Sequence, residues 1–215
     1  MDLAPLIDHT LLEPFATAAD IERLCAEALR YGFATVCVNP IHVRRAAAAL
    51  RGGAAGICSV AGFPLGATTS GQKAAEAAEA VRHGATEIDM VIDLGALRAG
   101  DDHRVRDDVR AVVAAAGVPV KAIVESAALR GDELRRACEA ALAGGAAFVK
   151  TSTGFHAAGG ASARAVRAMR ECVGGRAQVK ASGGIRTRAD AVAMIEAGAQ
   201  RLGCSASVAI VTGAE

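Results

Sequence analysis

Residues 144–152 read Gly-Gly-Ala-Ala-Phe-Val-Lys-Thr-Ser, a glycine turn that leads directly into a short apolar segment. A related Gly-Ala step precedes an apolar segment at Gly84 and again at Gly198. Glycine commonly ends a helix, and a short apolar run is typical of a buried strand. The repeated unit therefore predicts helices that alternate with strands, which is the arrangement of a parallel sheet.

Eight segments match this strand pattern, and seven Ala- and Arg-rich segments with helical periodicity lie between them. The predicted strands are Leu6–His9, Thr35–Asn39, Gly56–Ala61, Glu87–Ile92, Val120–Glu125, Ala147–Ser152, Val179–Ser182 and Arg201–Ser205. The predicted helices are Ala18–Tyr31, Ile41–Leu50, Ser70–His83, His103–Ala116, Gly131–Gly144, Ser162–Val173 and Arg188–Ala197.

Eight strand–helix units in a chain of 215 residues match the lower size limit of an α/β fold, the (β/α)8 or TIM barrel. An open, doubly wound sheet is the alternative. Its dinucleotide-binding form carries a Gly-x-Gly-x-x-Gly turn after the first strand, which this sequence lacks. No Pro- or Ser-rich linker divides the chain, so we predict a single TIM-barrel catalytic domain over residues 1–215.

The composition excludes several classes of partner. The net charge is +1 and aromatic residues make up 3% of the chain, so neither a nucleic acid nor a membrane is expected to bind. The N-terminus lacks the pattern of a secretory signal, and the six cysteines are dispersed without metal-site spacing. Because the histidines are scattered as well, we expect no metal and a cytoplasmic protein with free thiols.

Three of the four lysines lie inside predicted strands, at Lys121, Lys150 and Lys180, although 20 of the 24 basic residues are arginines. Arginine stays protonated, whereas lysine can lose its proton and act as an amine nucleophile. The active site of a TIM barrel lies at the C-terminal ends of its strands. We therefore expect the lysines to meet there with the strand acids Asp89 and Glu125. Ion pairs without a catalytic role are the alternative.

Lys150 and Lys180 lie on the sixth and seventh predicted strands, which are neighbours in a barrel. Neighbouring strands are about 4.8 Å apart, so the two ammonium groups would lie about 5 Å apart and repel each other. Burial also disfavours the charged form, so one of the two amines is expected to be neutral near physiological pH. Such an amine can form a Schiff base, but the residues alone do not show which lysine is the nucleophile.

Small residues follow the last three predicted strands. Gly183 and Gly184 follow the seventh strand, Ser205 follows the eighth, and Gly154 lies after the sixth. TIM barrels often bind phosphate through backbone N–H groups in the loops after strands seven and eight. We therefore predict a phosphate site here, with plain turns as the alternative use of the glycines.

Six motifs carry a resemblance to a known family that runs from residue 7 to about residue 207, nearly the whole chain. They are Ile7-Asp8-His9-Thr10-Leu11-Leu12, Ala34-Thr35-Val36-Cys37-Val38-Asn39-Pro40, Gly62-Phe63-Pro64-Leu65-Gly66, Gly84-Ala85-Thr86-Glu87-Ile88-Asp89-Met90-Val91, Phe148-Val149-Lys150-Thr151-Ser152-Thr153-Gly154-Phe155 and Val179-Lys180-Ala181-Ser182-Gly183-Gly184-Ile185-Arg186-Thr187. With these motifs the chain resembles the deoxyribose-phosphate aldolases, a family of class I aldolases built on a TIM barrel.

The resemblance implies reversible cleavage of 2-deoxy-D-ribose 5-phosphate to D-glyceraldehyde 3-phosphate and acetaldehyde, in deoxyribose phosphate catabolism. It implies a homodimer and no cofactor. It implies that Lys150 forms the Schiff base, that Lys180 favours the neutral form of Lys150, and that Asp89 relays protons with Lys180. The implied substrate-binding residues are Asp8, Cys37, Lys121, Thr151, Gly154, Gly183, Gly184 and Ser205, of which the glycines and Ser205 hold the phosphate.

Two positions depart from the family pattern. Ala206 stands where a second serine is common, so phosphate binding is expected to be weaker or to rely on Ser207. Asp93 stands where asparagine is expected, which would add negative charge near the site. Two other functions stay open, namely a Schiff-base aldolase for another sugar phosphate and a non-catalytic barrel that binds a phosphate ligand.

Overall fold

The computed structural model describes residues 1–213, so the last two residues of the predicted domain, 214 and 215, lie outside the described part. Eight parallel strands form a closed barrel in chain order, with β8 paired to β1. The predicted TIM barrel is therefore confirmed. The strands are β1 (Ile7–Leu11), β2 (Thr35–Val38), β3 (Gly56–Ala61), β4 (Glu87–Val91), β5 (Val120–Ile123), β6 (Phe148–Lys150), β7 (Gln178–Ser182) and β8 (Arg201–Cys204).

Nine helices lie within residues 1–213, together with three short 3₁₀ turns. The helices are α1 (Ala18–Tyr31), α2 (Val43–Ala49), α3 (Ser70–Arg82), α4 (Leu94–Arg98), α5 (Asp102–Ala116), α6 (Glu133–Ala143), α7 (Ala163–Val173), α8 (Arg188–Glu196) and α9 (Ser207–Thr212). The 3₁₀ turns are Ala4–Leu6, Pro40–His42 and Ser126–Ala128. None of the helices in this part of the chain is long and apolar enough to cross a membrane.

Local signals explain why the helices begin and end where they do. The Thr17 side chain accepts a hydrogen bond from the N–H of Asp20, and the Asp20 carboxylate accepts one from the N–H of Thr17, which together cap the start of α1. The helix ends at Gly32, whose φ of 73° is the left-handed conformation that glycine adopts readily. Between these signals, α1 buries Ile21, Leu24, Cys25 and Ala28 against the barrel.

The structure differs from the predicted boundaries mainly at strand ends. Strand β1 runs from Ile7 to Leu11 instead of Leu6–His9, β5 ends at Ile123 instead of Glu125, and β6 ends at Lys150 instead of Ser152. Leu6 belongs to a 3₁₀ turn, and Glu125 adopts a left-handed φ of 56°, which turns the chain out of the sheet. Helix α2 starts at Val43 because Pro40–His42 forms a 3₁₀ turn.

The strand register brings the charged residues together in the barrel interior. Lys150 is paired with Lys180 across β6 and β7, and Asp89 is paired with Lys121 across β4 and β5. Because side chains alternate along a strand, Val149 faces the surrounding helices while its neighbour Lys150 faces the interior. The interior of this barrel is therefore polar at the level of the lysines.

Candidate active site

A cleft opens at the C-terminal ends of the strands, on the face where Lys150 ends β6. The residues that line it come from the ends of β1, β6, β7 and β8 and from the loops that follow them. They are Thr10, Leu11, Leu12, Glu13, Lys150, Thr153, Gly154, Phe155, Ser182, Gly183, Gly184, Ile185, Arg186, Gly203, Cys204 and Ser205.

Lys150 is the strand lysine that reaches this cleft. Lys121 and Lys180 are fully buried beneath the cleft, whereas Lys150 is 3% exposed and contributes to its lining. The Lys150 ammonium lies 6.0 Å from the centroid of the Phe63 ring, which belongs to the loop after β3. Of the three strand lysines, Lys150 is therefore the one whose amine can meet a ligand in the cleft.

Asp89 is the centre of the charge network. Its Oδ2 accepts hydrogen bonds from Lys150 Nζ and Lys180 Nζ, both at 2.7 Å, and its Oδ1 accepts one from Lys121 Nζ at 2.8 Å. Burial alone would favour the neutral acid, but the three ammonium groups outweigh it and hold the pKa of Asp89 well below its ordinary value. The sequence predicted repulsion between Lys150 and Lys180. In the structure a carboxylate lies between the two amines and attracts both.

Lys180 is held by a second carboxylate, Asp8. Asp8 Oδ2 lies 2.5 Å from Lys180 Nζ, and Asp8 Oδ1 accepts a hydrogen bond from Arg201 Nη1 at 2.6 Å. Burial opposes the charged form of Lys180, but Asp8 and Asp89 outweigh it and raise the pKa of Lys180 above its ordinary value. Burial likewise opposes the Asp8 carboxylate, but Lys180, Lys121 and Arg201 lower the pKa of Asp8. Lys180 is thus an ammonium ion at neutral pH.

The network holds one more basic group than acidic group. Its members contact one another through ion pairs of 2.5–3.7 Å, from Lys180–Asp8 at 2.5 Å to Lys121–Asp8 at 3.7 Å. They are the bases Lys121, Lys150, Lys180 and Arg201 and the acids Asp8, Glu87 and Asp89. Loss of one proton from a lysine would balance the charges. Within residues 1–213, Lys150 forms an ion pair with Asp89 only, whereas Lys180 pairs with two acids and Lys121 with three, so Lys150 is the lysine held by the fewest ion pairs.

Two cysteines adjoin the network from the side of β2 and β3. Cys37 and Cys58 are register partners, and Cys58 Sγ donates to Asp89 Oδ1 at 3.0 Å. A hydrogen bond with Cys58 lowers the pKa of Cys37, whereas burial and that same contact raise the pKa of Cys58 well above its ordinary value. The sequence predicted Cys37 near the site but did not predict Cys58 there. The alternation of side chains along β3 could have indicated it, because neighbouring residues on a strand point to opposite faces. Cys58 points to Asp89, whereas the next residue, Ser59, donates to the backbone carbonyl of Val38.

Two groups of three potential metal ligands also occur here. The ligand atoms of Cys37, Cys58 and Asp89 lie within 4.8 Å of one another, as do those of Asp8, Cys58 and Glu87. All three carboxylates already bind lysine ammonium groups, which would repel a metal ion. The donor set therefore favours ammonium groups over a metal.

The predicted phosphate residues all lie in the lining of the same cleft as Lys150. Gly183 and Gly184 have φ angles of 87° and 80°, which residues with a Cβ rarely adopt. Within residues 1–213, the N–H groups of Gly154, Gly183 and Gly184 donate to no other protein group. These free donors, together with Ser205, form a cradle suited to an anion. Ser207 cannot replace the missing serine at 206, because it is buried and donates to Cys204 O at 2.8 Å.

Four predicted substrate-binding residues lie below the cleft instead of in its lining. Asp8, Cys37 and Lys121 are buried in the interior, and Thr151 exchanges hydrogen bonds with the backbone of Ser182, at 3.1 and 3.0 Å. Thr151 therefore joins the loop after β6 to the end of β7.

Two acids lie elsewhere than the sequence predicted. The Glu125 carboxylate bonds Thr153 in the loop after β6 instead of meeting the lysines, because its left-handed backbone turns it toward that loop. Asp93 caps α4 by accepting from the N–H of Ala96, and it pairs with Arg104 at 2.9 Å. Arg104 thus neutralises the charge of Asp93 outside the cleft lining, so the prediction of extra negative charge near the site was wrong.

Besides Cys58, the residues that the sequence did not predict include Thr10 and Phe155 in the cleft lining and Glu87 and Arg201 in the network. Thr10 and Phe155 are present in the motifs quoted above. Glu87 and Arg201 begin their strands, at the opposite end of the barrel from the cleft, where an active site is not expected. Their contribution depends on side chains that extend along the barrel interior.

Comparison with known proteins supports the same reading. A model of the DeoC/LacD family aldolases matches residues 3–213. A deoxyribose-phosphate aldolase of Carboxydothermus hydrogenoformans is 52% identical over 98% of this chain and 94% of that protein, and one of Bacillus cytotoxicus is 52% identical over 98% and 95%. The solved tetrameric deoxyribose phosphate aldolase of Aeropyrum pernix is 34% identical, with a TM-score of 0.91 over 98% of this chain and 90% of that chain. This chain belongs to the DeoC/LacD family of aldolases.

Proposed function

We propose that this protein is a deoxyribose-phosphate aldolase that reversibly cleaves 2-deoxy-D-ribose 5-phosphate to D-glyceraldehyde 3-phosphate and acetaldehyde through an imine on Lys150. The activity follows from the curated relatives at 52% identity over nearly the whole chain. The observation that carries the mechanism is the position of Lys150, which lines the same cleft as the glycine cradle while its amine bonds Asp89.

In the direction of synthesis, the neutral amine of Lys150 attacks the carbonyl carbon of acetaldehyde, and loss of water together with uptake of one proton from solvent leaves a protonated imine. Lys180 is unsuited to this step because its raised pKa keeps it protonated. The positive nitrogen of the imine stays next to Asp89, whose Oδ2 is 2.7 Å from Lys150 Nζ. Asp89 therefore stabilises the charge that develops on this nitrogen.

The imine makes the adjacent methyl group acidic, so loss of a proton gives an enamine. We propose that an ordered water, hydrogen-bonded to Asp89 and Lys180, takes this proton and passes it to solvent. Asp89 remains an anion and orients the water by accepting its hydrogen bond. It does not take up the proton itself, because its pKa is held well below the ordinary value. Lys180 supplies a proton donor at the same oxygen of Asp89, at 2.7 Å.

The enamine carbon then attacks the aldehyde of D-glyceraldehyde 3-phosphate, the resulting alkoxide takes up a proton from solvent, and hydrolysis of the imine releases Lys150. The free N–H groups of Gly154, Gly183 and Gly184 support a phosphate site in the same cleft as the amine. Fixing the phosphate there orients the aldehyde toward the enamine, which lowers the entropic part of the barrier. Cleavage follows the reverse path.

Borohydride trapping with acetaldehyde, followed by peptide mass mapping, tests the nucleophile. We expect a two-carbon adduct on Lys150 that is lost in Lys150→Arg. An adduct on Lys180 would reverse the two roles, and absence of any adduct would contradict a Schiff-base mechanism and favour a phosphate-binding barrel. Cleavage assays with other sugar phosphates separate this substrate from the alternatives.

We also propose a cytoplasmic location and a homodimer. The six cysteines are free, which suits a reducing compartment. Ile41 and Phe15 are strongly exposed apolar side chains, as at many subunit interfaces. Light scattering of the purified protein would contradict the homodimer if it gave any other mass.

A further inference from the structure

Glu125 is a buried acid that the proposed reaction does not use. It is 1% exposed and directly follows β5 at the cleft end of the barrel. Among residues 1–213 it is the one non-glycine residue with a positive φ, at 56°. Such a backbone conformation is costly for a residue with a side chain and tends to persist where the surroundings require it. The strain indicates that the position of this carboxylate matters.

The Glu125 carboxylate is held by hydrogen-bond donors instead of by a base. Its Oε2 accepts from Thr153 Oγ1 at 2.7 Å, and its two oxygens share the N–H of Thr153 at 3.2 and 3.3 Å. No lysine, arginine or histidine in the described part of the chain pairs with it. Thr153 Oγ1 in turn accepts from the N–H of Phe155 at 3.1 Å. Glu125 thus fixes the chain on both sides of Gly154.

Gly154 is the residue that this arrangement positions. It has a φ of 86°, and the site of a Cβ on Gly154 would lie 3.7 Å from the Cα of Gly183, so the two glycines are close neighbours. The N–H of Thr153 donates to Glu125, and the N–H of Phe155 donates to Thr153 Oγ1. Between them, the N–H of Gly154 donates to no group in the described part of the chain. The bonds among Glu125, Thr153 and Phe155 therefore leave the N–H group of Gly154 available to a ligand in the cleft, as is the N–H group of Gly183.

We propose that Glu125 is a positioning residue that, through Thr153, holds Gly154 against Gly183 and so sets the affinity for the phosphate group of the substrate. The assignment of that ligand rests on the proposed function. A carboxylate is required because Thr153 presents an N–H and an O–H donor together, and both carboxylate oxygens accept. An amide would direct its NH2 group toward one of these donors.

The experiment compares Glu125→Gln with the wild-type protein on 2-deoxyribose 5-phosphate and on unphosphorylated 2-deoxyribose. We expect KM for the phosphorylated sugar to rise about tenfold, the effect of one lost hydrogen bond, while kcat/KM for the unphosphorylated sugar stays within about twofold. Acetaldehyde trapping on Lys150 should be unchanged. Equal losses on both sugars, or an unchanged KM, would overturn the proposal.

Asp108→Asn is the matched control, because Asp108 is a buried acid on α5 that pairs with Lys73 away from the cleft. It should lower stability without changing KM. If Glu125→Gln does not fold, Thr153→Val and Thr153→Ser decide the matter. The valine variant should raise KM for the phosphorylated sugar and the serine variant should restore it, and equal KM values for the two would overturn the proposal.

Calorimetry with inorganic phosphate separates this inference from the proposed function. If the wild-type protein cleaves neither sugar, the proposed function fails, yet phosphate binding still tests Glu125. Weaker phosphate binding by Glu125→Gln than by the wild-type protein supports the positioning role. Equal binding contradicts it.

Discussion

Gly203 on β8 leaves the space that the Lys180 side chain occupies inside the barrel. A Cβ at Gly203 would lie 3.0 Å from Lys180 Cε and 3.0 Å from Ser182 Cβ, closer than nearly all such contacts. Gly203→Ala should therefore displace the Lys180 amine from Asp89. We expect kcat to fall about tenfold to a hundredfold, because small misplacements of a reacting group have effects of this size. Steady-state kinetics on 2-deoxyribose 5-phosphate measures the change.

The same variant distinguishes a defect at Lys180 from a defect at the phosphate cradle. Since the amine is used with either sugar, kcat on unphosphorylated 2-deoxyribose should fall by the same factor. Gly71→Ala is the control, because Gly71 lies on α3 with no atom within 4 Å of an added Cβ. Normal kcat in Gly203→Ala would mean that Lys180 tolerates displacement, and its role in proton transfer would then be doubtful.

At the residue scale, the sequence predicted the chemically active groups but not all of their contacts. Lysine and aspartate in apolar strands are unusual enough to be recognised, so Lys150, Lys180 and Asp89 were predicted to meet, as the structure has them. Glu125 looked equivalent to Asp89 in the sequence. Glu125 accepts a hydrogen bond from Thr153 because its backbone is left-handed. No sequence pattern predicts that conformation for a residue other than glycine.

At the scale of elements, an ion pair joins α3 to α5. Lys73 Nζ and Asp108 Oδ2 are 2.6 Å apart with both side chains buried, and Ser70 Oγ donates to Asp108 Oδ1 at 2.8 Å. Lys73→Met would leave the Asp108 charge buried without its partner. We expect a loss of about 3–5 kcal/mol in the free energy of unfolding, measured by urea denaturation.

The double variant Lys73→Met with Asp108→Leu tests whether the loss comes from the unpaired charge. Replacing both partners removes the buried charge altogether, so the double variant should be more stable than Lys73→Met. A double variant that is less stable than Lys73→Met would show that packing around the pair matters more than its charge. The KM for the sugar phosphate should stay unchanged in both.

The sequence predicted the longer helices and strands, but it did not predict the two short helices α4 and α9. Helix α1 has both a capping box and a glycine at its end, so its predicted and observed bounds agree at Ala18–Tyr31. Helices α4 and α9 have five and six residues, too few for a periodic pattern to be recognised. The Asp93 cap of α4 was interpreted instead as a charge near the site.

At the scale of the whole molecule, the charge network connects the two ends of the barrel. Arg201 and Glu87 start their strands at one end and pair at 3.2 Å, while Lys150 ends β6 at the cleft. Asp8 links Arg201 to Lys180, which requires closure of the barrel between β8 and β1. Such contacts between the first and last strands depend on the closed sheet, so no local pattern in the sequence predicts them.

The network makes the stability of the whole barrel depend on pH. The pKa values of Asp8 and Asp89 are lowered on folding, so below the ordinary aspartate value of about 3.9 the unfolded chain binds more protons than the folded one. Their contribution to stability is present above about pH 5 and is lost as the pH falls below about 4. The raised pKa of Lys180 contributes stability that is lost only above about pH 10.

Asp8→Asn should therefore destabilise the protein at neutral pH by about 3–5 kcal/mol, because Lys180 and Arg201 lose a shared carboxylate. Thermal unfolding of both proteins between pH 7 and pH 3 measures the difference, which should shrink as the pH falls towards 3 because the Asp8 carboxylate of the unfolded wild-type chain becomes protonated while that of the folded protein stays ionised. Glu196→Gln is the control, because Glu196 is exposed at the end of α8, and its curve should match that of the wild-type protein. A constant difference between Asp8→Asn and the wild-type protein would mean that Asp8 stabilises the barrel by shape and hydrogen bonding, independently of its charge.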